Sequence, residues 1–189
     1  MSLIACKNCG KNVSDLAETC PHCGKKIKGD IKMYSETIYN LFTEALTNRL
    51  DFNFEEDKEE GTIVVPNLGI DSSMKSINVI INVRDSDCVI LGIYNNSKIS
   101  SGNMDKVSEL LMRINNKYIY PQLILEYENQ CVVCRHRSQF SGDLINSDIA
   151  ALSFIYVCSH LEKFGNAIMA VSLGLQSPEE ALELISDDD

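Results

Sequence analysis

Two cysteine knuckles near the start of the chain constrain its fold more than any other feature. Cys6 and Cys9 belong to the first Cys-x-x-Cys-Gly sequence, and Cys20 and Cys23 belong to the second. Two residues between cysteines allow one tight turn to aim both sulfurs at a single ion, and the following glycine tolerates the positive φ that the turn needs. The two turns together predict one tetrahedral zinc ion bound by Cys6, Cys9, Cys20 and Cys23.

The predicted zinc ion has a structural role. Four protein ligands leave no open position for water, so the spacing predicts no Lewis-acid catalysis. Because the ligands come together only in the folded chain, metal binding is expected to supply about 10 to 16 kcal/mol of folding free energy.

Two alternatives compete with a site of four cysteines. The cysteines could instead form two disulfides or remain free thiols, but paired knuckles with following glycines rarely arise by chance, which favours zinc. His22 could also replace a cysteine as a ligand. Because His22 lies inside the second knuckle, we interpret it as a turn residue that points away from the metal.

The segment around the knuckles resembles the short zinc ribbons found at the start of many bacterial proteins. The resemblance covers residues 4–27, and the ten residues from Gly10 to Thr19 are enough for a hairpin loop between the knuckles. We therefore assign residues 1–28 to a zinc ribbon.

The length and the cysteine content indicate two cytoplasmic domains. A chain of 189 residues accommodates one well-packed domain beside a small metal-stabilised one. The sequence has no secretion signal and no run of eighteen apolar residues, which predicts a soluble protein without a membrane partner. Four of the eight cysteines belong to the knuckles and four have apolar neighbours, which favours a reducing compartment over a secreted disulfide scaffold.

The charge is divided unevenly between the two regions. Residues 1–30 contain five lysines and three acidic residues, whereas residues 31–189 contain 12 basic and 24 acidic residues. Four thiolates around one zinc ion add two further negative charges to the first region. Because nucleic-acid binding depends on positive charge, this distribution disfavours a nucleic-acid partner.

Beyond a polar connector at residues 25–30, the hydrophobic pattern predicts an α+β domain over residues 31–186. Helical and alternating spacings give the order α-β-β-β-α-β-β-α-α, with an antiparallel sheet packed against helices. Breaks are expected at Pro66 and Gly69, and Ser177 with Glu180 form a capping box. The predicted elements are a helix over 31–50, strand signals at 52–54 and 62–65, a hairpin over 77–94, a helix over 107–118, a hairpin over 123–140, a helix over 147–172 and a last helix from Ser177.

This order and the local sequence resemble the YbjN-type family of bacterial sensory-transduction regulators, which shares the fold of type III secretion chaperones. The resemblance covers residues 31–186. It rests on the hairpin Ile77–Tyr94, the helical segment Val107–Asn115, the strand pair around Leu123–His136 and the long helix after Leu144. The resemblance implies a small α+β domain, often dimeric, whose surface holds another polypeptide; it implies no reaction.

Cys131 and Cys134 form a further Cys-x-x-Cys sequence, which raises the hypothesis of a thiol oxidoreductase. Redox motifs place the nucleophile at a helix N-terminus, which lowers its pKa, whereas these cysteines lie in a predicted strand. Positions i and i+3 of a strand point to opposite faces, so packing is favoured over redox or metal chemistry. We assign Cys88 and Cys158 to the core for the same reason.

Arg135, His136 and Arg137 follow in the same predicted strand. Alternation places the two arginines on one face and His136 on the other. The arginines could bind a carboxylate or a phosphate, although a solvated face is the more common arrangement. His136 and His160 lack a neighbouring nucleophile pattern, so we interpret both as structural.

The long helix over 147–172 is apolar on nearly every side. Such a helix needs two surfaces to cover it. The sheet supplies one, and the other is either a second subunit or bound peptide, or the first and last helices of the same chain.

Together these features predict a non-enzymatic adaptor or regulator that binds another protein, with no catalytic residues. An alternative is a regulator that binds nucleic acid through the lysines of the ribbon; a third hypothesis is a thiol oxidoreductase that uses Cys131 and Cys134. The lysines concerned are Lys7, Lys11, Lys25, Lys26 and Lys28.

Overall fold

The chain divides into two compact units, residues 1–33 and residues 34–189. Most of the predicted connector, residues 26–30, lies outside the described residues. Among the described residues, no helix combines the length and the apolar character needed to cross a bilayer. The computed structural model describes residues 3–6, 8–14, 17, 19–25, 34–95, 97–140, 146–183 and 185.

The N-terminal unit is built on a two-stranded hairpin. Strand β1 (Leu3–Ala5) pairs antiparallel with β2 (Asn12–Ser14). Among the residues described in this unit, the hydrophobic core consists of Cys6, Val13 and Cys20. An isolated hairpin with so little buried apolar surface is unstable in water, so this unit requires a further source of stability.

The larger unit combines helices with a six-stranded antiparallel sheet, which confirms the predicted α+β class. The spatial order of the strands is β3-β4-β5-β6-β8-β7, so β8 lies between β6 and β7. Four strands of this unit precede the second helix, which equals the number of predicted strand signals but exceeds the three strands of the predicted order. The strands are β3 (Glu55–Asp57), β4 (Thr62–Gly69), β5 (Ser76–Val83), β6 (Asp87–Tyr94), β7 (Gln122–Glu126) and β8 (Cys131–Gln139).

Side-chain caps set the starts of three of the four helices. The first helix begins at Glu36, because the side chain of Ser35 accepts the N–H of Ile38 at 3.3 Å; the predicted start at residue 31 lies outside the described residues. Asn146 caps the long helix in the same way. The helices are α1 (Glu36–Glu44), extended by a π-helical turn (Ala45–Arg49), α2 (Met104–Lys117), α3 (Ser147–Ser172) and α4 (Pro178–Glu183).

The predicted capping box at the start of α4 is present. The N–H of Ser177 donates to Glu180 Oε2 at 2.8 Å, and the N–H of Glu180 donates to Ser177 Oγ at 3.2 Å. Hydrogen bonds from the backbone N–H and the side chain of Ser177 to the carboxyl group lower the pKa of Glu180. The two reciprocal bonds explain how a helix of six residues begins at a defined position.

One face of the sheet is buried under the helices. In β5 the residues Ile77, Val79 and Ile81 are fully buried, whereas the residues between them are half-buried. Helix α3 lies across β6 and β8. It approaches β6 so closely at Gly92 that a Cβ there would lie 2.4 Å from Leu161 Cδ1. The core of the larger unit therefore lies between the sheet and α3.

Two strands differ from their predicted bounds. Residues 52–54 are not a strand, and the strand in this region is β3, at Glu55–Asp57. Phe52 and Phe54 instead pack against the core, and the ring of Phe52 lies 5.7 Å from that of Phe154. Strand β4 is predicted to end before Pro66, but it continues through Pro66 and ends at Gly69. Its register shifts between Val65 and Leu68, and such a bulge tolerates a residue without an N–H.

Candidate metal centre and the other predicted sites

The four cysteines of the two knuckles come together in the N-terminal unit. Their sulfur atoms all lie within 4.8 Å of one another. Cys6 Sγ lies 3.8 Å from Cys23 Sγ, and Cys9 Sγ lies 3.7 Å from Cys20 Sγ. Four sulfurs at about 2.3 Å from a tetrahedral zinc ion are separated by about 3.8 Å, so the spacing fits this ion.

The same distances exclude the disulfide alternative in this structure. A disulfide requires an S–S separation of about 2.05 Å, far shorter than the separations within the cluster. All four cysteines are free thiols here. His22 is exposed and is not a member of the cluster.

The two knuckles hold their cysteines by the same backbone hydrogen bonds. Gly10 N–H donates to Cys6 O, and Gly24 N–H donates to Cys20 O, both at 2.8 Å. Gly10 and Gly24 have φ values of 72° and 73°. A Cβ at either position meets no atom within 4 Å, so glycine is required by the backbone conformation and not by space.

Hydrogen bonds from the knuckles favour the thiolate form of one cysteine in each pair. The backbone N–H of Lys25 and the side-chain amide of Asn8 donate to Cys23 Sγ and lower its pKa to about 6. Backbone N–H groups of Cys9 and Asn8 lower the pKa of Cys6. Both thiols are thereby prepared to bind a cation as thiolates.

The crowding of four thiols has the opposite effect on Cys9. A backbone hydrogen bond from Lys11 lowers its pKa, but desolvation and the neighbouring cysteines outweigh it and raise the pKa to about 11. Four thiolates cannot lie so close together without a compensating positive charge. A divalent zinc ion held by these cysteines would supply that charge and would displace the remaining protons.

Residues 2–27 match the family model of a zinc-ribbon domain. This segment is a zinc ribbon. Together with the clustering of Cys6, Cys9, Cys20 and Cys23, the match confirms the predicted cofactor, one structural zinc ion. No curated protein and no solved structure matches the chain. The resemblance of residues 31–186 to the YbjN-type family therefore stays a prediction.

Cys131 and Cys134 do not form a redox pair in β8. Cys134 is fully buried in the core, whereas Cys131 is half-buried on the opposite face of the strand. Burial raises the pKa of both thiols. Burial also raises the pKa values of Cys88 and Cys158 to about 12. None of these four cysteines has the lowered pKa that a thiol oxidoreductase needs.

The arginines of β8 lie on the face of the sheet opposite the helices. Arg135 and Arg137 are exposed and line a groove of about 660 Å³ together with Arg84, from the turn between β5 and β6. Arg84 has no local signal in the sequence, because only the pairing of β6 with β8 brings that turn near the other two arginines.

Both histidines of the larger unit are packing residues. The ring of His136 lies 6.2 Å from that of Tyr156, and burial lowers its pKa. His160 is 7% exposed and lies against the rings of Tyr118 and Phe164. Burial and the positive charge of Lys163 lower the pKa of His160 to about 4, so this side chain is neutral at physiological pH.

Helices of the same chain supply most of the second surface that α3 needs. Helices α1, α2 and α4 pack against α3, in addition to β6 and β8. Leu152, Ile155 and Tyr156 remain exposed, at 49%, 38% and 54%. Packing by helices of the same chain therefore accounts for the buried side of α3. A homodimer stays a prediction.

The two edges of the sheet are poorly suited to pairing with another strand. At the β7 edge, the Asn115 side chain of α2 accepts the Leu123 N–H at 2.9 Å and donates to the Leu123 carbonyl at 2.8 Å. At the other edge, all three residues of β3 are acidic and exposed. A partner that added a strand would have to displace Asn115 or approach this negative charge.

Proposed function

We propose that this protein is a non-enzymatic adaptor that binds another protein through its zinc ribbon. The observation that carries the proposal is the exposure of two apolar side chains of β1, Leu3 at 71% and Ile4 at 40%, which point to opposite faces of the hairpin. Zinc holds the hairpin in place of a core, so apolar side chains remain available for a partner. Exposed apolar residues on a rigid hairpin are typical of protein-binding surfaces.

The chemistry of the described residues supports a role without catalysis. The thiolates of the ribbon fill the coordination sphere of a tetrahedral ion, so no position is left for a substrate or an activated water. Cys131 and Cys134 are protonated at neutral pH, because their pKa values are raised. The adaptor proposal therefore assigns the cysteines of both motifs to structure.

Nucleic-acid binding is the second candidate function, and two exposed lysines favour it. The side chains of Lys11 and Lys25 are exposed on the ribbon. The backbone carbonyl groups of these lysines accept hydrogen bonds from the N–H groups of Cys6 and Cys20. Their positive charge could contact phosphates. The other predicted contacts, Lys7, Lys26 and Lys28, lie outside the described residues.

A pull-down from cell lysate with matched ribbon variants tests both functions on the full-length protein. One variant carries Leu3→Ser and Ile4→Ser, and the other carries Lys11→Ser and Lys25→Ser; each is used with and without nuclease. These four side chains are exposed, so both variants are expected to retain zinc. The adaptor function predicts that a protein is captured in the presence of nuclease and is lost only from the leucine and isoleucine variant.

The opposite pattern would support the second candidate. If capture disappears with nuclease and with the lysine variant, the ribbon binds nucleic acid. If neither variant changes a nuclease-resistant capture, the partner does not bind β1 and the ribbon-based proposal is wrong.

A further inference from the structure

The face of the sheet that points away from the helices contains a groove lined by both aliphatic and charged side chains. Leu91 of β6 and Ile124 of β7 are half-buried, Val133 of β8 is buried, and all three line the groove. Ile124 lies directly opposite Val133 in the register, so these side chains form a continuous floor across neighbouring strands. When only one side of a sheet is covered, the outward face is usually polar. Aliphatic side chains on this face therefore indicate a binding surface.

Positive charge lies beside this floor in an otherwise acidic unit. Arg84, Arg135 and Arg137, three of the five arginines in the chain, line the groove together with one acidic residue, Glu126. Residues 31–189 contain 12 basic residues against 24 acidic ones. The groove is therefore a local positive region on a negative surface, which favours an acidic occupant.

Two of these arginines are available to a ligand. Arg137 donates to the buried carboxylate of Asp87, which fixes its position. Within the part of the chain that the structure describes, the guanidinium groups of Arg84 and Arg135 have neither a hydrogen bond nor an ion pair. A guanidinium group binds a carboxylate through two parallel hydrogen bonds, so both groups suit aspartate or glutamate side chains.

An exposed aromatic residue completes the groove. Tyr120 is 71% exposed and lines the groove beside Gln122. Tyrosine and arginine beside aliphatic side chains are the composition of energetically important protein–protein contacts. Both edges of the sheet are poorly suited to strand addition. The exposed face is therefore the surface that the sheet offers to a partner.

We propose that this groove is a docking site for an acidic protein segment that also carries apolar side chains. The inference rests on the adaptor function and adds to it a second surface and the chemistry of the partner. Nucleic acid fits the groove less well, because the floor consists of the aliphatic side chains Leu91, Ile124 and Val133, whereas bases stack on aromatic ones. A small molecule fits less well, because an open groove does not enclose it.

Fluorescence polarisation with synthetic peptides tests the proposal on the full-length protein. The probe is a labelled peptide of about twelve residues in which glutamate alternates with leucine. Two matched peptides replace every glutamate by lysine or every leucine by serine. The groove predicts that the glutamate–leucine peptide binds several-fold more tightly than either control. Equal binding of the lysine peptide, or no binding of the probe at millimolar concentration, would overturn the proposal.

Substitutions in the groove locate the binding. Arg84→Glu combined with Arg135→Glu is expected to weaken probe binding about tenfold, because two exposed attractions become repulsions. Lys106→Glu on α2, which is exposed and outside the groove, makes a single charge reversal and should change the affinity by less than about twofold. A comparable loss with Lys106→Glu would indicate net charge and not the groove.

A ribbon variant separates this proposal from the adaptor function itself. Cys9→Ser should leave probe binding unchanged if the probe occupies the groove. If Cys9→Ser abolishes binding while the arginine variants do not, the probe binds the ribbon, and the groove proposal fails while the adaptor function stands. Arginine-dependent binding of a single-stranded DNA probe in preference to the peptide would also refute the groove proposal.

Discussion

The two units of this protein reach a defined fold by different physical means. The ribbon contains a core of Cys6, Val13 and Cys20, so coordination of the sulfurs by zinc has to replace apolar burial. The larger unit buries side chains such as Phe42, Phe154 and Leu110 completely between a sheet and helices. Size explains the difference, because a short hairpin cannot bury enough apolar surface to offset its lost conformational entropy.

Removal of one zinc ligand is expected to have the largest effect and to separate the two units. Cys9→Ser leaves three thiolates, and the ribbon loses most of the metal-binding free energy that folds it, about 10 to 16 kcal/mol. The larger unit should keep its melting temperature. Zinc content and the ¹H–¹⁵N spectrum of the full-length protein measure the two outcomes separately.

Cys131→Ser is the matched control for this experiment, because Cys131 is a half-buried cysteine outside the knuckles. It should retain one zinc ion per chain. Equal unfolding of both units by Cys9→Ser would show that the units are not independent.

A substitution in the core of the larger unit tests the same independence from the other side, because it should leave the ribbon unchanged. Phe154 is 1% exposed and packs against Phe52. Phe154→Ala should lower the free energy of unfolding by about 3 to 5 kcal/mol, because it removes apolar contacts and leaves a cavity. Urea denaturation followed by circular dichroism measures this loss. A simultaneous loss of zinc would contradict independent stabilisation of the ribbon.

His160 should make the larger unit less stable in acid. Its pKa is about 4 in the folded chain and 6.5 when unperturbed, so between these values the unfolded chain binds a proton that the folded chain does not. The free energy of unfolding should therefore fall as the pH drops from 6.5 to 4, by at most about 3 kcal/mol. His160→Phe should reduce this fall in urea titrations at successive pH values.

Asn115 provides the smallest of the expected effects. Asn115→Ala removes two hydrogen bonds to the backbone of Leu123 and should lower the free energy of unfolding by about 1 to 2 kcal/mol. Hydrogen exchange at the Leu123 amide is the most direct measurement. An unchanged exchange rate would show that the side chain does not protect the edge of β7.

The zinc site could be predicted from the sequence because its determinants are local. Two residues between cysteines and a glycine after each pair define the turns, and the ligands of each knuckle are three residues apart. The bounds of α3 and the capping box at Ser177 were predictable for the same reason. Short-range periodicity and capping residues specify both.

The sheet order and the groove depend on contacts between distant parts of the chain. Insertion of β8 between β6 and β7 brings Arg84 near Arg135 and Arg137, and no local pattern indicates that order. Phe52 and Phe54 have a strand pattern but pack against the core, so burial overrides their local preference. Pairing and packing of this kind become visible only when the chain is folded.

The way in which the sheet ends affects how the protein behaves at high concentration. An open sheet can grow by recruiting strands from other molecules, which leads to fibres and precipitates. Here the side chain of Asn115 occupies the hydrogen-bonding groups of Leu123 at one end, and the carboxylates of β3 repel an approaching copy at the other. The native fold thus carries its own protection against polymerisation, one end by hydrogen bonding and the other by charge.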